Sequence, residues 1–278
     1  MISRMPLAQF FKGPIPLNHR GMGGVTKIPC PKHTTGTTHF GTHLRNESNI
    51  VRTRVKVCCI SSLQEAQLAI HHGADALGLV ADMPSGPGII GEALIREIAD
   101  AVPPAIATFL LTSHQTVSAI VEQHCRCRTN TIQICDRLVD GTYRQLSYEL
   151  PGIRLVQVIH VRDETSVEEA RHIANQGVHA ILLDSGNQNL AVKELGGTGK
   201  THDWALSRAI VASVEVPVFL AGGLMPENAG RAMAMVGPFG LDLCSGVRSN
   251  GALDETKLAA FFEAVKAGPS ESRTYLQR

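Results

Sequence analysis

The chain has 278 residues, of which 44% are apolar, and its formal net charge is +1. This length and apolar content are enough for one large buried core. The even mixture of charges argues against a nucleic-acid partner, and apolar runs such as residues 178–183 are too short to cross a bilayer. The seven cysteines lack the paired spacing of a zinc site or a secreted disulfide framework, which favours a reducing compartment. We therefore expect a cytoplasmic protein without a bound metal.

Residues 1–53 differ from the rest of the chain. They contain a single acid, Glu47, many glycines, prolines and threonines, and no helical or strand periodicity. The scarcity of acids is typical of an organellar transit segment, whereas the lack of an amphipathic pattern favours a disordered tail or an over-extended gene start. Both interpretations stay open. We predict that the folded domain spans residues 54–268 and that residues 269–278 form a C-terminal tail.

From residue 54 onward, short apolar segments alternate with segments of helical periodicity. Eight strands are predicted, each apolar throughout, as expected of strands that are covered on both faces. They are Val55–Ile60, Ala76–Val80, Ile106–Leu111, Thr131–Cys135, Leu155–Val161, Ala180–Asp184, Val216–Ala221 and Leu241–Ser245. The predicted helices are Ser62–Gly73, Glu92–Val102, Thr116–His124, Tyr143–Leu150, Ser166–Gln176, Asp203–Ser213, Pro226–Met235 and Asp254–Val265.

This alternation predicts a (β/α)8 barrel, or TIM barrel, as a single α/β domain. The competing architecture is a doubly wound open sheet. Such a sheet carries a glycine fingerprint after its first strand, where this chain has Cys58-Cys59-Ile60-Ser61. We therefore favour the barrel, whose active site is expected at the C-terminal ends of its strands.

Glycine-bearing segments follow the last three predicted strands. They are Gly196-Gly197-Thr198-Gly199, Ala221-Gly222-Gly223-Leu224 and Ser245-Gly246-Val247. Glycine lets backbone N–H groups approach an anion closely, and barrels commonly bind phosphate in the loops after their last strands. A single glycine in such a loop often only turns the chain. The three segments together predict a phosphate site and a small-molecule ligand that resembles a sugar phosphate.

Two side chains are candidates for acid and base chemistry. Asp184 ends the sixth predicted strand, so its carboxylate should project into the mouth of the barrel, although it could instead cap the following loop. Strand alternation points Lys56 and Cys58 into the interior together, where an ammonium favours a thiolate. The alternative is that Cys58 is a small apolar filler of the core.

At these residues the sequence resembles phosphoribosylanthranilate isomerase, the barrel enzyme of tryptophan biosynthesis, from about Arg54 to Ala267. The matching motifs are Val55-Lys56-Val57-Cys58, Gly73-Ala74-Asp75-Ala76-Leu77-Gly78, Leu182-Leu183-Asp184-Ser185, the Gly196 to Gly199 segment followed by Asp203-Trp204, Leu220-Ala221-Gly222-Gly223-Leu224 with Pro226-Glu227-Asn228, and Asp242 with Ser245-Gly246-Val247. The combination of motifs in this order is highly specific.

The resemblance implies an Amadori rearrangement of N-(5-phosphoribosyl)anthranilate to its 1-deoxyribulose isomer, without a cofactor. It implies that Asp184 protonates the furanose oxygen and that Cys58 removes the C2′ proton. The substrate- and phosphate-binding residues that we predict are Lys56, Gln133, Gly197, Thr198, Gly199, Gly222, Gly223, Ser245, Gly246 and Arg248. We expect a monomer or a homodimer.

The chain departs from the family pattern mainly on the half of the site that handles the aromatic ring. The family has a Ser-Pro-Arg segment after the second strand, whose arginine binds the anthranilate carboxylate, and residues 83–88 of this chain contain no arginine. Cys59 stands where the family has a glycine, and Arg248 where it has a glutamate. Arg248 is therefore a candidate replacement for the missing carboxylate partner.

Three hypotheses follow from these observations. The chain could be a divergent phosphoribosylanthranilate isomerase, an isomerase or epimerase of another phosphorylated sugar or aminosugar, or a non-catalytic barrel that binds a phosphate ligand. The presence of both Cys58 and Asp184 argues against the third hypothesis. The missing arginine favours the second, but the match over the whole barrel favours the first, which we prefer.

Overall fold

The fold is described from a computed structural model of the chain. The described residues are 52–186, 193, 195 and 201–269. The predicted N-terminal extension, residues 1–53, and the predicted tail, residues 269–278, therefore lie almost entirely outside the described residues. Three predicted binding residues also lie outside them, namely Gly197, Thr198 and Gly199.

Eight parallel strands close into a barrel and alternate with helices. The strands are β1 (Arg54–Val57), β2 (Ala76–Val80), β3 (Ala107–Thr112), β4 (Thr131–Ile134), β5 (Arg154–His160), β6 (Ala180–Asp184), β7 (Val218–Leu220) and β8 (Gly240–Leu243). The helices are α1 (Leu63–His72), α2 (Glu92–Ala101), α3 (Val117–Cys127), α4 (Tyr143–Glu149), α5 (Thr165–Ala174), α6 (Trp204–Ser213), α7 (Pro226–Val236) and α8 (Glu255–Ala267). Each strand pairs with the next, and β8 pairs with β1. The predicted (β/α)8 barrel is confirmed.

Side chains along the strands alternate between two apolar layers. In β6, for example, Ile181 belongs to the layer that packs against the helices, and Leu182 belongs to the layer inside the barrel. Three phenylalanine rings fill part of the interior edge to face: Phe109 and Phe219 have centroids 6.0 Å apart, and Phe219 and Phe239 have centroids 5.4 Å apart. The strand alternation that sequence periodicity predicts therefore decides which polar side chains face inward.

The first strand is shorter than predicted. It ends at Val57 rather than Ile60, because Cys59 has a φ of 62° and so leaves the strand conformation. Hydrogen bonding to the neighbouring strands nevertheless continues, from Cys58 N–H to Leu243 O (2.8 Å) and from Ile60 N–H to Gly78 O (3.0 Å). Cys58 and Cys59 thus lie at a fixed bend at the mouth of the barrel.

A small hairpin that the sequence analysis did not predict follows β8. It consists of β9 (Arg248–Ser249) and β10 (Ala252–Leu253), which pair antiparallel. Asn250 and Gly251 connect the strands with φ values of 52° and 83°, as in the type I′ turn that Asn-Gly favours. A 3-10 turn, Ser245–Val247, precedes the hairpin.

No described helix is both long and apolar enough to span a membrane. Among the described residues, no group of three or more His, Cys, Asp or Glu side chains is arranged to hold a metal ion. The six cysteines in this part of the chain are unpaired thiols.

Gly240, the first residue of β8, leaves room for a ring inside the barrel. A Cβ at this position would lie 2.7 Å from the Phe219 ring and 3.2 Å from the Arg54 carbonyl oxygen.

We expect Gly240→Ala to lower the free energy of unfolding by about 1–3 kcal/mol, because the ring and β1 must both shift. Urea unfolding followed by circular dichroism measures this change. The control is Gly91→Ser at the N-cap of α2, where the space is open and serine can cap the helix, so stability should stay equal or rise slightly. Equal losses in the two variants would contradict this account of Gly240.

Candidate active site

A cavity opens at the C-terminal ends of the strands. Its described lining includes both candidate catalytic residues, Cys58 after β1 and Asp184 at the end of β6, whose exposed fractions are 6% and 8%. Four of the predicted binding residues line the same cavity, namely Gln133, Gly222, Gly223 and Ser245. The structure thus brings the candidate acid and base to one cavity.

A buried ion pair lies at the wall of this cavity. Lys56 and Asp242 are partners in the β1–β8 ladder, and Lys56 Nζ lies 2.9 Å from Asp242 Oδ1. Burial works against the Lys56 ammonium, but the attraction of Asp242 outweighs it and raises the pKa of Lys56 above its ordinary value. Lys56 therefore favours its charged form, although burial also raises the pKa of its partner Asp242. Lys56 is not itself among the described lining residues. Asp242 does line the cavity and was not predicted as a site residue; the available signal was a single acid in an otherwise apolar strand.

Asp184 is a carboxyl whose environment favours the protonated form. Burial raises the pKa of Asp184 to about 6, and the negative charge of Asp242 adds to the rise. The N–H of Ser185 donates to Asp184 Oδ1 at 2.7 Å and opposes the rise in part. This bond is the loop-capping contact of the alternative interpretation, so one carboxyl group caps the loop and also faces the cavity. A fraction of Asp184 is protonated near neutral pH and can act as an acid.

The Cys58 thiol lies against β2 at Gly78. A Cβ on Gly78 would be 2.7 Å from Cys58 Sγ and 3.0 Å from Lys56 Nζ. The thiol and the ammonium therefore lie on the same side of β1, as the alternation predicts, and Gly78 leaves the space that they occupy.

Two further thiols lie beside Cys58 and also line the cavity, those of Cys59 and Cys244. Hydrogen bonds to the thiols of Cys244 and Cys58, together with burial, raise the pKa of Cys59. The pKa of Cys244 is lowered, because its thiol accepts the hydrogen bond from Cys59 and Arg248 is nearby. Burial raises the pKa of Cys135 above its ordinary value. Cys59 and Cys135 are thus poor candidates for a thiolate base.

The glycine loops after β7 and β8 pack against each other at the rim of the cavity. Gly222 and Gly223 have φ values of 84° and 60°, which glycine adopts without steric cost. Gly246 approaches the other loop so closely that a Cβ on it would lie 1.9 Å from the Leu224 carbonyl oxygen. Ser245 is exposed and begins the 3-10 turn. Because barrels commonly bind phosphate between these two loops and the N-terminus of a short extra helix, the arrangement fits an anion.

Gln133 brings an amide group from β4 into the cavity. Its side chain is buried, and Nε2 donates to Cys135 Sγ at 3.7 Å. Its Oε1 has no hydrogen-bond partner among the described residues. Because an unsatisfied buried acceptor costs free energy, a donor on a bound ligand would stabilise this group.

Arg248 does not line the described cavity. Its guanidinium donates to both carboxylate oxygens of Glu65, at 2.8 and 3.0 Å, and to the carbonyl oxygens of Gly251 (2.9 Å) and Cys59 (2.5 Å). These contacts engage both terminal nitrogens, whereas Nε is buried and has no hydrogen-bond partner among the described residues. The pairing argues against Arg248 as a replacement for the missing carboxylate partner, which stays a prediction. Sequence could not reveal the pairing, because Glu65 is 183 residues away along the chain.

The loop after β2, where the family's arginine is missing, forms part of the cavity wall through Met83 and Ser85. Ser85 Oγ donates to the carbonyl oxygen of Lys193 at 2.5 Å, so the loop after β6 reaches the loop after β2. Lys193 also forms an ion pair with Asp136, and Leu195 from the same loop lines the cavity. None of the described lining residues is an arginine or a lysine.

A thiol and a carboxyl of raised pKa share one cavity beside glycine loops that fit an anion, and these features are typical of a barrel enzyme that acts on a phosphorylated ligand. Comparison with known proteins identifies the family within this class. The family model of N-(5′-phosphoribosyl)anthranilate isomerase matches residues 55–264, and the chain belongs to this family.

Individual relatives agree. The chain is 34% identical over 216 residues to N-(5′-phosphoribosyl)anthranilate isomerase of Methanocella arvoryzae, a match that covers 77% of this chain and 98% of the relative. The crystal structure of the phosphoribosyl anthranilate isomerase of Thermotoga maritima superposes with a TM-score of 0.64 at 27% identity, and the match covers 77% of this chain and 99% of that one. A phosphoribosyl anthranilate isomerase in complex with reduced 1-(o-carboxyphenylamino)-1-deoxyribulose 5-phosphate is similar at a TM-score of 0.61 and 25% identity, with 77% and 99% covered.

The raised pKa of Asp184 predicts a pH-dependent cost in stability. Between about pH 4 and pH 6 the folded state holds a proton that the unfolded state has lost, so the free energy of unfolding falls as pH rises through this window. Asp184→Asn removes this loss. We expect the free energy of unfolding of the variant, relative to that of the wild type, to rise by roughly 3 kcal/mol between pH 4 and pH 8, because the pKa shift is about two units.

Urea unfolding of both proteins at the two pH values measures the difference. The control is Asp163→Asn. Bonds from Thr165 lower the pKa of Asp163, so its contribution changes below pH 4 and the difference between this variant and the wild type should barely change between the two pH values. A difference between Asp184→Asn and wild type that does not change with pH would contradict the assignment.

Proposed function

We propose that the chain catalyses the Amadori rearrangement of N-(5-phosphoribosyl)anthranilate to 1-(2-carboxyphenylamino)-1-deoxyribulose 5-phosphate, a step of tryptophan biosynthesis. The observation that carries this proposal is that Cys58 and Asp184 line one cavity in a chain that belongs to this isomerase family. The lack of an arginine or a lysine among the described lining residues favours a different sugar-phosphate isomerase, but the family match over the whole barrel outweighs it. A silent ligand-binding barrel lacks an observation in its favour.

In the first step, Asp184 donates a proton to the furanose ring oxygen. The bond between that oxygen and C1′ breaks, and the lone pair of the anilino nitrogen forms a C=N bond, which leaves a protonated Schiff base and an Asp184 carboxylate. A carboxyl with a pKa of about 6 suits this task, because it is still partly protonated near pH 7 and yet gives up its proton readily.

In the second step, the Cys58 thiolate removes the proton from C2′. The electron pair of the C–H bond forms a C1′=C2′ double bond while the π pair of the C=N bond returns to the nitrogen, which gives the neutral enolamine. Loss of the 2′-hydroxyl proton and protonation of C1′ then give the ketone. The charged Lys56 ammonium lies beside the thiol, so a thiolate at this position has a positive neighbour. No cofactor takes part in either step.

The phosphate would bind at the glycine-rich rim. The proposed ligands are the N–H groups of Gly222, Gly223, Ser245 and Gly246, together with Gly197, Thr198 and Gly199 of the loop after β6. The close packing of the β7 and β8 loops at Gly246 supports this, since it holds two of the loops at a fixed separation. The ammonium of Lys56 would act through Asp242 rather than by contact with the phosphate.

The aromatic ring of the substrate would lie along the apolar part of the wall. Val80, Met83, Leu111 and Leu195 supply this surface among the described lining residues. The unpaired Oε1 of Gln133 can accept a hydrogen bond from a hydroxyl or the anilino N–H of the ligand. Reduced 1-(o-carboxyphenylamino)-1-deoxyribulose 5-phosphate keeps the phosphate and the carboxyphenylamino group of the product, with an alcohol in place of its ketone, and is expected to bind this chain.

The cellular setting and the assembly state extend this proposal. The six unpaired thiols of the described chain suit a reducing compartment such as the cytoplasm. An organellar location stays the alternative if residues 1–53 are a transit segment. A monomer or a homodimer stays a prediction.

Removal of either proposed catalytic group should abolish turnover. We expect Cys58→Ala and Asp184→Asn each to lower kcat by roughly 10²–10⁴-fold, while inorganic phosphate still protects the protein against thermal unfolding. The control is Cys125→Ala, an exposed thiol on α3, which should leave kcat unchanged. A near-normal rate for Cys58→Ala would mean that Cys58 only fills the core.

Growth of a bacterial strain that lacks this isomerase tests the substrate itself. Expression of the full chain should restore growth without tryptophan, and Asp184→Asn should not. Failure of a folded, expressed wild-type protein to support growth would overturn the proposed function and favour another phosphorylated substrate.

The pH dependence of the reaction should follow the acid. Because Asp184 must be protonated to donate and Cys58 must be a thiolate to accept, kcat/KM follows the product of the two populations, and its pH profile should change slope near pH 6, where Asp184 titrates. Initial rates across pH 5 to 9 measure this profile. A profile without a change of slope near pH 6 would mean that a different group is the acid.

A further inference from the structure

The ion pair between Arg248 and Glu65 contacts the backbone at Cys58 and Cys59. Arg248 Nη2 donates to the carbonyl oxygens of Cys58 (3.4 Å) and Cys59 (2.5 Å), while Nη1 and Nη2 bind the two carboxylate oxygens of Glu65. The Arg248 and Glu65 side chains are only 9% and 12% exposed. We refer to this pair as the Arg248–Glu65 clamp.

Glu65 ties the clamp to two other elements. Its carboxylate accepts hydrogen bonds from the N–H and Oγ of Ser61, at 2.9 and 3.0 Å, and from the N–H of Leu253 in β10, at 2.8 Å. Burial opposes the ionisation of Glu65, but the bonds from Arg248, Leu253 and Ser61 outweigh it and lower its pKa to about 2. The clamp therefore stays charged at assay pH and joins the end of β1 to α1 and to the β9–β10 hairpin.

The peptide that the clamp holds is strained. Cys59 has a φ of 62°, a conformation that residues with a side chain rarely adopt. The loop after β2 packs onto this residue, since a Cβ on Gly88 would lie 2.5 Å from Cys59 Cβ. Such a conformation persists only where its surroundings fix it, and the bond from Arg248 to the Cys59 carbonyl is a contact that does so.

We infer that the Arg248–Glu65 clamp positions the Cys58 thiol in the cavity by fixing the left-handed turn at Cys59. Neither Arg248 nor Glu65 is among the described lining residues, so both act through Cys58 and are positioning residues. The role of the Cys58 thiol as a base rests on the proposed function. The position in which the clamp holds the thiol does not. Loss of the clamp should lower kcat more than it changes KM, because the Arg248 side chain does not line the described cavity and the backbone N–H groups of the rim are kept.

A double-mutant cycle tests the coupling between the clamp and the strained turn. Arg248→Gln in the otherwise native chain should lower kcat by about 10- to 100-fold, since displacement of a reacting group by about 1 Å has effects of this size. Cys59→Gly removes the steric reason for strain, because glycine adopts a φ of 62° freely. In the Cys59→Gly background, Arg248→Gln should therefore lower kcat by less than about threefold. Equal fold-losses in both backgrounds would overturn the inference.

Matched controls separate positioning from general instability. Arg126→Gln breaks another bidentate arginine–glutamate pair, with Glu92 on the outside of the barrel, and should leave kcat unchanged. If Arg248→Gln does not fold, Arg248→Lys replaces it in the test, because it retains the charge. Its loss of kcat should be smaller, and Cys59→Gly should again remove that loss. A loss confined to KM would also overturn the inference.

A measurement without substrate keeps the inference separate from the proposed function. The alkylation rate of Cys58 by iodoacetamide, resolved by peptide mass spectrometry, should change at least about threefold in Arg248→Gln and return towards the native value when Cys59→Gly is added. If the wild-type protein fails to isomerise its substrate but shows this pattern, only the proposed function is wrong. If the wild type is active and the Cys58 alkylation rate is the same in all variants, the clamp does not position the thiol.

Discussion

Closure of the barrel between β1 and β8 is the constraint on which the candidate site depends. The closing ladder aligns Lys56 with Asp242, and both side chains are almost fully buried. Burial of two charges costs several kcal/mol per ion, which their attraction offsets only in good geometry, and an apolar pair could close a barrel as well. The ion pair is better explained by its neighbours. Its ammonium lies beside Cys58, and its carboxylate contributes to the raised pKa of Asp184.

This arrangement gives the two candidate catalytic groups different surroundings within one cavity. The carboxyl of Asp184 is buried near another carboxylate, so it tends to keep its proton. The thiol of Cys58 has an ammonium as neighbour, and the nearby thiols of Cys59 and Cys135 have raised pKa values and compete poorly as bases. The pKa of Cys244 is lowered, but its thiol accepts a hydrogen bond from Cys59. Pairs of titratable groups in such contrasting environments are typical of acid–base enzymes.

The sequence predicted the architecture well because its signal is local. Apolar runs and helical periodicity identified all eight units, and the bounds of β2 and β6 were predicted to the residue. Alternation along a strand also predicted that Lys56 and Cys58 share a side. The Asn250-Gly251 turn of the β9–β10 hairpin had a clear local signal that the sequence analysis overlooked.

Contacts between segments that are distant along the chain could not be predicted from the sequence. The partner of Lys56 became apparent only once the register of β1 and β8 was known. Arg248 was interpreted as a substrate ligand because the family's arginine is missing, yet it is paired with Glu65. Cys59 and Arg248 were noted separately as departures from the family pattern, and the structure joins them through one hydrogen bond.

A crystal structure of this chain with reduced 1-(o-carboxyphenylamino)-1-deoxyribulose 5-phosphate tests the central claim most directly. The account predicts one ligand whose sugar-derived carbons lie within about 3.5 Å of both Cys58 Sγ and the Asp184 carboxylate, with its phosphate between the β7 and β8 loops. A ligand that contacts only one of these two side chains, or that binds outside the cavity, would contradict it.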